Sequence, residues 1–196
     1  MTRPERRELI VDAAERAFRG RDPASVTFED IADEAAISRT LVYSYFKDRT
    51  ELLDAIRERS EALLRIEVTD ALSRVRGRRE ALTEAVAVHL DFARRDRTAY
   101  SYATGDLPDR ARTPTEERLV TEVAGLFDDD PDARIIGLGI VHAIRAMVAE
   151  HVLTGRRADD GRVGRVISAF LGGALTGLDE IGIVWTPTWE VPADAG

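Results

Sequence analysis

The sequence of 196 residues has no cysteine, only two methionines and few aromatic side chains. The absence of cysteine excludes disulfides and thiolate chemistry. Acidic residues outnumber basic ones by 36 to 28, and the net charge of −8 argues against a surface that is basic throughout. No apolar run approaches membrane-spanning length, and the first ten residues lack the apolar core of a signal peptide. We therefore expect a cytoplasmic protein with no membrane partner.

Helix-forming residues dominate the composition. Hydrophobic residues make up 44% of the chain and charged residues 33%, with many Arg, Glu and Ala, which favours an all-α fold. The length suffices for one core, or for one core and a small second domain. Thr2 and Glu5 form a T-x-x-E capping box, and the apolar residues from Leu9 to Phe18 recur at helical spacing. The chain is therefore expected to open with an amphipathic helix.

Residues 28–46 predict two short helices that meet at a tight turn. Thr27 is placed to cap the first helix, with Asp30 in the capping-box position, and Ser38 is placed to cap the second. Only Ala36 and Ile37 remain for the turn, so the two helices must cross steeply. This pattern is typical of a helix-turn-helix.

The second of these helices has an apolar side and a polar side. Val42 and Phe46 are four residues apart and suit a small core. The opposite side offers hydroxyl groups and a guanidinium that suit base edges and phosphates, and Leu41 suits a thymine methyl group. The alternative is an amphipathic helix whose polar side is merely solvated.

Spaced residues in this region resemble the DNA-binding domain of TetR-family transcriptional regulators. The resemblance covers about the first quarter of the chain, and it departs from the family pattern at Ala36, where a glycine is usual, and at Arg49, where a lysine is usual. The matching residues are Thr27, Ile31, Ala32, Ala35, Ile37, Ser38, Tyr43, Tyr45, Phe46, Arg49, Glu51, Leu52 and Leu53.

The DNA contacts are expected from two groups of side chains. We expect the first group to enter the major groove: Arg39, Thr40, Leu41, Tyr43 and Tyr45. We expect the second group to hold phosphates: Thr27, Ser38, Ser44, Lys47 and Arg49. The next helix begins beside Lys47 and Arg49. Because a helix N-terminus carries a partial positive charge, we expect a further phosphate contact there. Arg3, Arg6 and Arg7 are additional candidates for phosphate contacts.

The domain boundaries follow from the breaks in helical periodicity. We predict a helix-turn-helix DNA-binding domain over 1–49, a connecting helix over 50–66, a helical ligand-binding and dimerisation domain over 67–180, and a C-terminal tail over 181–196. The connecting helix carries movements between the two domains. The two tryptophans of the tail, Trp185 and Trp189, are expected to cover a hydrophobic edge.

The last helix has two stripes of different size. Large apolar residues form one stripe: Val163, Val166, Ile167, Phe170, Leu171, Ala174, Leu175 and Leu178. Small residues form the other: Ala169, Gly172, Gly173, Thr176 and Gly177. Glycine within a helix costs roughly 1 kcal/mol relative to alanine, so close backbone approach is the expected compensation. We expect the small stripe to form a two-fold homodimer interface; the alternative is a close crossing within one chain. The family resemblance implies the dimer.

No catalytic or metal site is predicted, and no cofactor. His142 and His151 are nine residues apart, so they lie on opposite sides of one helix and cannot share a metal. The resemblance implies that a small, often apolar effector binds between the middle helices. The polar and aromatic candidates for its contacts are His89, Phe92, Tyr100, Tyr102, His142, Arg145 and Met147.

These observations favour a ligand-responsive repressor over an enzyme. The expected partners are a palindromic double-stranded DNA operator, a small-molecule effector and a second copy of the chain. The acidic composition favours an alternative, an all-α small-molecule-binding or interaction protein that does not read DNA. The polar side of the helix that begins at Arg39 opposes that alternative.

Overall fold

The structure is a computed structural model, and it describes residues 1–19, 21, 25–104, 113–127, 130–154 and 159–185. Within these residues the fold is all-α, with an N-terminal helix-turn-helix domain and a C-terminal helical domain. The helices are α1 (Arg3–Phe18), α2 (Phe28–Glu34), α3 (Arg39–Tyr45), α4 (Arg49–Leu72), α5 (Arg78–Arg95), α6 (Arg97–Thr104), α7 (Pro114–Ala124), α8 (Ala133–Leu153) and α9 (Asp160–Glu180).

The N-terminal core is formed by α1, α2, α3 and the first two turns of α4. Ile10, Phe18, Ile31 and Phe46 are almost completely removed from solvent and lie in one cluster with Ile56. The predicted caps Thr2, Thr27 and Ser38 are present: Thr2 and Thr27 form full capping boxes, and the side chain of Ser38 accepts a hydrogen bond from the third residue of its helix. Asp48 caps α4 in the same way. Local hydrogen bonds therefore fix where each of these helices begins.

Helix α4 belongs to both domains. It runs without a break over 24 residues, from Arg49 to Leu72, and so continues six residues beyond the predicted end of the connecting helix at 66. Leu52 and Ile56 pack in the N-terminal core, whereas Leu64 and Val68 pack in the core of the second domain. Residues 67–72, predicted to belong to the second domain, are the last turns of α4.

The second domain is built around α5, which contacts α4, α6, α8 and α9. Its core contains Val86, Tyr100, Val148 and Ile167, each almost fully buried. Trp185 follows α9 and packs against Phe127, with the two ring centroids 5.4 Å apart at 82°. Trp185 therefore covers a hydrophobic edge as predicted, and Trp189 lies outside the described residues.

Helices α7 and α8 cross most closely at Gly137. A Cβ atom at this position would lie 2.8 Å from the backbone nitrogen of Ala124 and 2.9 Å from the carbonyl oxygen of Val120. Only glycine permits that approach without moving a backbone. The sequence had suggested α9 as the place where glycines allow close packing, but the tight crossing within the chain is made by α8.

The prediction that no apolar run reaches membrane-spanning length is wrong for α8. Its residues Ala133–Val152 are long and apolar enough to cross a membrane. The helix instead packs against α5, α6 and α7, and Val148 and Ile144 lie in the core of the second domain. The pattern therefore belongs to a helix that packs against several neighbours, while Ile135 on its outer side is 70% exposed.

Candidate DNA-binding surface and effector cavity

Helix α3 presents a polar face to solvent. Val42 is fully buried on its inner side, whereas Arg39, Thr40, Tyr43 and Ser44 are exposed. The Tyr43 side chain is 47% exposed and its ring packs against Phe28, with centroids 4.9 Å apart. The face therefore combines hydrogen-bonding groups with a ring held in place by the first residue of α2.

Arg39 and Tyr43 are paired on this face. The guanidinium of Arg39 donates to the phenolic oxygen of Tyr43 at 3.3 Å and lies 5.4 Å from the centre of its ring. A carboxylate oxygen of Glu29 lies 3.9 Å from the same guanidinium, which is 58% exposed. Two side chains that project from one helix are thus ordered before any partner binds, and a pre-ordered guanidinium suits bidentate recognition of a base or phosphate.

The three hydroxyl groups predicted to hold phosphates, those of Thr27, Ser38 and Ser44, differ in whether their protons are free to be donated. Thr27 donates its hydroxyl proton to Asp30 at 2.5 Å, and this hydrogen bond holds the pKa of Asp30 at about 2. Ser44 donates to the carbonyl oxygen of Leu41 at 2.7 Å. Ser38 accepts from the Leu41 amide at 3.2 Å, so its own proton stays available. Ser38 is therefore better placed than Thr27 and Ser44 to donate to a phosphate.

Basic side chains of α1 converge on the end of α3. The guanidinium of Arg3 lies 5.9 Å from the ring centre of Tyr45, and that of Arg7 lies 4.9 Å from the ring centre of Phe46. Lys47, directly after α3, is 80% exposed. Tyr45 and Leu41 are only partly exposed and flank this region. The N-terminal arm therefore adds positive charge beside the polar face, although the whole chain is acidic.

Arg49, a predicted phosphate contact, is engaged within the N-terminal domain. Its guanidinium donates to the carbonyl oxygen of Val26 at 2.7 Å and lies 5.6 Å from the ring centre of Phe18. One amide at the start of α4 is also occupied, because Asp48 accepts from the Glu51 amide at 2.9 Å. Two carboxylates at this helix N-terminus disfavour a phosphate there. Arg49 therefore stabilises the domain from within.

The turn between α2 and α3 is strained at Ala36. This residue has a φ of 52°, in the left-handed region, and it is the only non-glycine residue with positive φ in the described part of the chain. Its amide donates to the carbonyl oxygen of Asp33 at 3.1 Å, and the amide of Ile37 donates to that of Ala32 at 3.0 Å. The turn thus keeps the geometry that glycine favours while carrying a Cβ atom.

A cavity of about 290 Å³ opens in the second domain between α4, α5, α7 and α8. Its wall is mainly apolar, and Trp185 closes part of it. The apolar side chains that form most of the wall include Val68, Leu72, Leu82, Leu126, Val141 and Ile144. Because Val68 and Leu72 belong to α4, an occupant of the cavity would contact the helix that reaches the DNA-binding domain.

Of the predicted effector contacts, only His89 lines this cavity. Phe92 and Tyr100 are buried in the core beside it, and Met147 packs against that core. Tyr102 lies instead against the N-terminal domain, with its ring 6.1 Å from that of Phe18. These four side chains were predicted because aromatic and polar residues on apolar helices resemble pocket linings. In the structure all four pack in or against the two cores and do not line the cavity.

His142 and Arg145 belong to a buried cluster of charges that the sequence did not reveal. The two carboxylate oxygens of Glu116 meet Arg57 at 3.0 Å and Arg145 at 3.4 Å, and His142 lies 3.2 Å from the same carboxylate. Arg57 also pairs with Glu61 at 3.0 Å. Burial raises the pKa of Glu61. The cluster ties α4 to α7 and α8, and the only local signal for it is the i,i+4 spacing of Arg57 and Glu61.

The outer side of α9 is open. A Cβ atom added at Gly172, Gly173 or Gly177 would meet no atom within 4 Å, so no close crossing within the described chain requires these glycines. Ala169, Gly172, Gly173 and Thr176 line a groove beside Arg78 and Arg79 of α5. The large stripe was predicted to be one surface, but it divides. Ile167, Leu171 and Leu175 are buried, whereas Val166 and Phe170 are 55% and 61% exposed.

The fold and the surface of α3 define a helix-turn-helix DNA-binding protein. Residues 10–56 match the family model described as "Bacterial regulatory proteins, tetR family". The chain is 28% identical over 171 residues to the "HTH-type transcriptional activator FasR" of Mycolicibacterium smegmatis, covering 82% of this chain and 78% of that protein. The N-terminal segment, residues 10–56, is therefore a helix-turn-helix domain of the tetR-family type.

Solved structures share the fold over most of the chain. A TetR-like transcriptional regulator from Rhodococcus sp. RHA1 superposes with a TM-score of 0.66 at 22% identity, covering 90% of this chain and 99% of that one. The transcriptional regulator FadR from Bacillus subtilis, in complex with stearoyl-CoA, superposes with a TM-score of 0.63 at 15% identity, covering 84% and 96%. Both likenesses concern the fold.

Proposed function

We propose that this protein is a TetR-family regulator, a cytoplasmic repressor that binds a palindromic operator as a homodimer and is released by a small-molecule effector. The observation that carries the proposal is the exposed, pre-ordered pair of Arg39 and Tyr43 on a helix backed by the N-terminal core. Regulators of this family are not enzymes, so the proposal concerns which ligands the protein binds.

DNA binding is tested by selecting bound fragments from genomic DNA and measuring their affinity by fluorescence anisotropy. Tyr43→Ala removes the phenol and the partner of Arg39, and Arg39→Ala removes the guanidinium. Each is expected to weaken binding by about 1–3 kcal/mol, as for loss of a direct base contact. Thr121→Ala, on the exposed side of α7, is the matched control. Unchanged affinity in both α3 variants would contradict the proposed surface.

The homodimer is supported by the exposed apolar side chains of the last two helices. Ile135 of α8 is 70% exposed, and Val166 and Phe170 lie on α9 near the open glycines. Large side chains beside glycines on neighbouring helices suit a self-complementary interface. Phe170→Glu is expected to yield monomers in light scattering. Leu63→Glu, a substitution at a side chain that is 50% exposed on α4, is expected to leave the dimer intact.

The effector role of the cavity is supported by its apolar wall and by its contact with α4. The Bacillus subtilis regulator of the same fold was solved with stearoyl-CoA, an apolar chain on a polar head. Candidate ligands are first identified by a rise in the thermal unfolding midpoint. They are then added to the DNA-bound dimer, and release of the DNA is measured. An effector releases the DNA; a ligand that binds the cavity and leaves the complex unchanged would contradict the proposed response.

The direction of regulation is tested with a reporter gene behind the selected operator. Repression gives higher expression when the regulator is deleted. The Mycolicibacterium smegmatis relative is named an activator, and activation here would give lower expression on deletion. The alternative function, an all-α small-molecule-binding protein that does not read DNA, is favoured by the net charge of −8. This alternative predicts that small molecules bind the cavity and that the genomic selection yields no specifically bound DNA fragment.

A further inference from the structure

The cavity contains one polar side chain that is nine-tenths buried, His89. It is 5% exposed, lies on α5 and faces a wall that is otherwise mostly apolar. Its Nδ1 atom lies 3.1 Å from the phenolic oxygen of Tyr100, and the two rings meet edge to face at 87°. With Nδ1 engaged by Tyr100, Nε2 is the ring nitrogen left for the cavity.

The proton on the His89–Tyr100 hydrogen bond can be assigned from the surroundings. Tyr100 is fully buried, and its hydroxyl has no other hydrogen-bond partner among the described residues. A buried phenol that accepts from His89 would leave its own proton unsatisfied, which costs more than an ordinary hydrogen bond gains. The phenol therefore donates to Nδ1. The neutral imidazole then carries its proton on Nε2.

The ring stays neutral at physiological pH. Burial, together with the positive charge of Arg145, lowers the pKa of His89 to about 3. Arg145 is committed elsewhere, because its guanidinium lies 3.4 Å from Glu116 in the buried cluster. The carboxylate of Glu122 also lines the cavity, but it is paired with Arg65 at 3.1 Å. A neutral N–H in this mainly apolar cavity therefore recognises an uncharged acceptor, since a charged ligand group would lose its hydration with no unpaired opposite charge to meet it.

We infer that the cavity binds an uncharged, largely apolar molecule whose single acceptor oxygen, of the ketone, ester or amide kind, accepts a hydrogen bond from Nε2–H of His89. The inference rests on the proposed effector role of the cavity and names the chemistry of the effector. Tyr100 is a positioning residue in this arrangement, because it fixes which nitrogen of His89 is protonated.

Three bicyclic probes of similar size separate the possible recognition modes in calorimetry. Indane has no polar atom, 1-indanone has only an acceptor, and the N–H of indole is a donor. His89→Leu is expected to reduce the affinity for 1-indanone about fivefold, the effect of a net hydrogen bond of about 1 kcal/mol, and to leave indane within twofold. Loss confined to indole would mean that Nε2 is an acceptor and would overturn the inference. Lack of binding of 1-indanone at millimolar concentration would also overturn it.

Ser73→Ala is the matched control for His89→Leu. Ser73 also lines the cavity, but its hydroxyl already donates to the carbonyl oxygen of Asp70 at 2.7 Å. Its removal is therefore expected to leave the affinity for 1-indanone within twofold. A loss as large as that of His89→Leu would show that the affinity depends on the cavity lining in general, which would overturn the role given to His89.

A measurement on the unmodified protein tests the same inference without a variant. The ¹⁵N NMR signals of the His89 ring are expected to show a protonated Nε2 and an unprotonated Nδ1, and a protonated Nδ1 overturns the assignment. Tyr100→Phe is expected to give a mixture of both tautomers. None of these readouts involves DNA, so the two proposals can fail separately. If the calorimetry and NMR results are as expected but no operator is bound, only the proposed function is refuted. If an effector releases the protein from DNA but these results are not as expected, only this inference is refuted.

Discussion

Arg49 donates a hydrogen bond of 2.7 Å to the carbonyl oxygen of Val26, a residue 23 positions earlier in the chain. The bond joins the first residue of α4 to the segment just before α2, and the guanidinium also lies over Phe18. A partly buried guanidinium bonded to a carbonyl oxygen stabilises the domain. Sequence position alone, next to a helix N-terminus and an exposed lysine, would have placed it on DNA.

Arg49→Ala is therefore expected to lower the free energy of unfolding by about 2 kcal/mol, because it leaves the Val26 carbonyl without this donor and removes the contact with Phe18. Lys47→Ala is the matched charge change at a side chain that is 80% exposed. We expect it to leave stability unchanged and to reduce the salt dependence of DNA binding. Thermal unfolding and anisotropy at several salt concentrations measure both. A stable Arg49→Ala protein with weakened DNA binding would restore the phosphate role.

Ala36→Gly is expected to stabilise the helix-turn-helix. The φ of 52° at Ala36 destabilises the folded state by about 1–2 kcal/mol for an L-residue, and glycine removes this strain. Glycine also increases the conformational entropy of the unfolded chain, which offsets part of the gain. The net gain should be about 0.5–1 kcal/mol, seen as a rise of a few degrees in the unfolding midpoint. Ala35→Gly, at a residue with a φ of −84°, should lower the midpoint. A lower midpoint for Ala36→Gly would contradict the strain.

Gly137→Ala is expected to destabilise the second domain. The added Cβ would lie 2.8 Å and 2.9 Å from backbone atoms of α7, which can move only by shifting the helix, at a cost of about 1–3 kcal/mol. Gly139→Ala places its Cβ in open space on the same helix, so it should stabilise by up to about 1 kcal/mol. Opposite shifts of the unfolding midpoint are the expected result. Equal shifts would show that α7 and α8 do not cross closely at Gly137.

His89 predicts an acid-dependent loss of stability. Its folded pKa of about 3 lies below the ordinary histidine value of 6.5, so the unfolded chain takes up the proton first as the pH falls. The stabilisation is complete above pH 6.5 and is lost as the pH falls from there towards 3, at about 1.4 kcal/mol per pH unit. Between pH 6 and 4.5 the stability of the wild type should fall relative to His89→Gln.

The control for this pH profile is His142→Gln, a substitution at a side chain that is 41% exposed. We expect the wild type and this variant to lose stability in parallel over the same pH range. If His142→Gln, and not His89→Gln, removes the loss, then the buried ring of His89 is not the group that resists protonation. Chemical denaturation at fixed temperature gives both free energies.

Local sequence predicted the N-terminal domain well for a physical reason. The starts of α1, α2, α3 and α4 are set by hydrogen bonds between residues three apart, such as that between Ser38 and Leu41, and such pairs are visible in a linear sequence. The buried side of α3 also followed from the spacing of Val42 and Phe46. The family model matches this same region, residues 10–56.

The second domain was predicted less completely because its features depend on distant pairs. Arg57 and Glu116 are 59 positions apart, and no local pattern joins them. The same holds for Gly137, where a side chain is excluded by the backbone of α7, which is distant in sequence. Tyr102 was placed near an effector by its residue type, whereas its packing against Phe18 comes from how the two domains meet. The site residues on α3 remain predictions until DNA binding is measured.

Because α4 is unbroken, it can move as one rigid rod. Its two ends are fixed in different cores, and the contact of Arg57 with Glu116 lies about a third of the way along it, where a fulcrum would be. The eight residues from Arg57 back to Arg49 span about 12 Å, so a swing of about 15° about this point displaces the start of α4 by about 3 Å. That distance is close to the rise of one base pair, about 3.4 Å. A rotation of about 15° about that contact would therefore shift the N-terminal domain by about one base pair relative to its half-site.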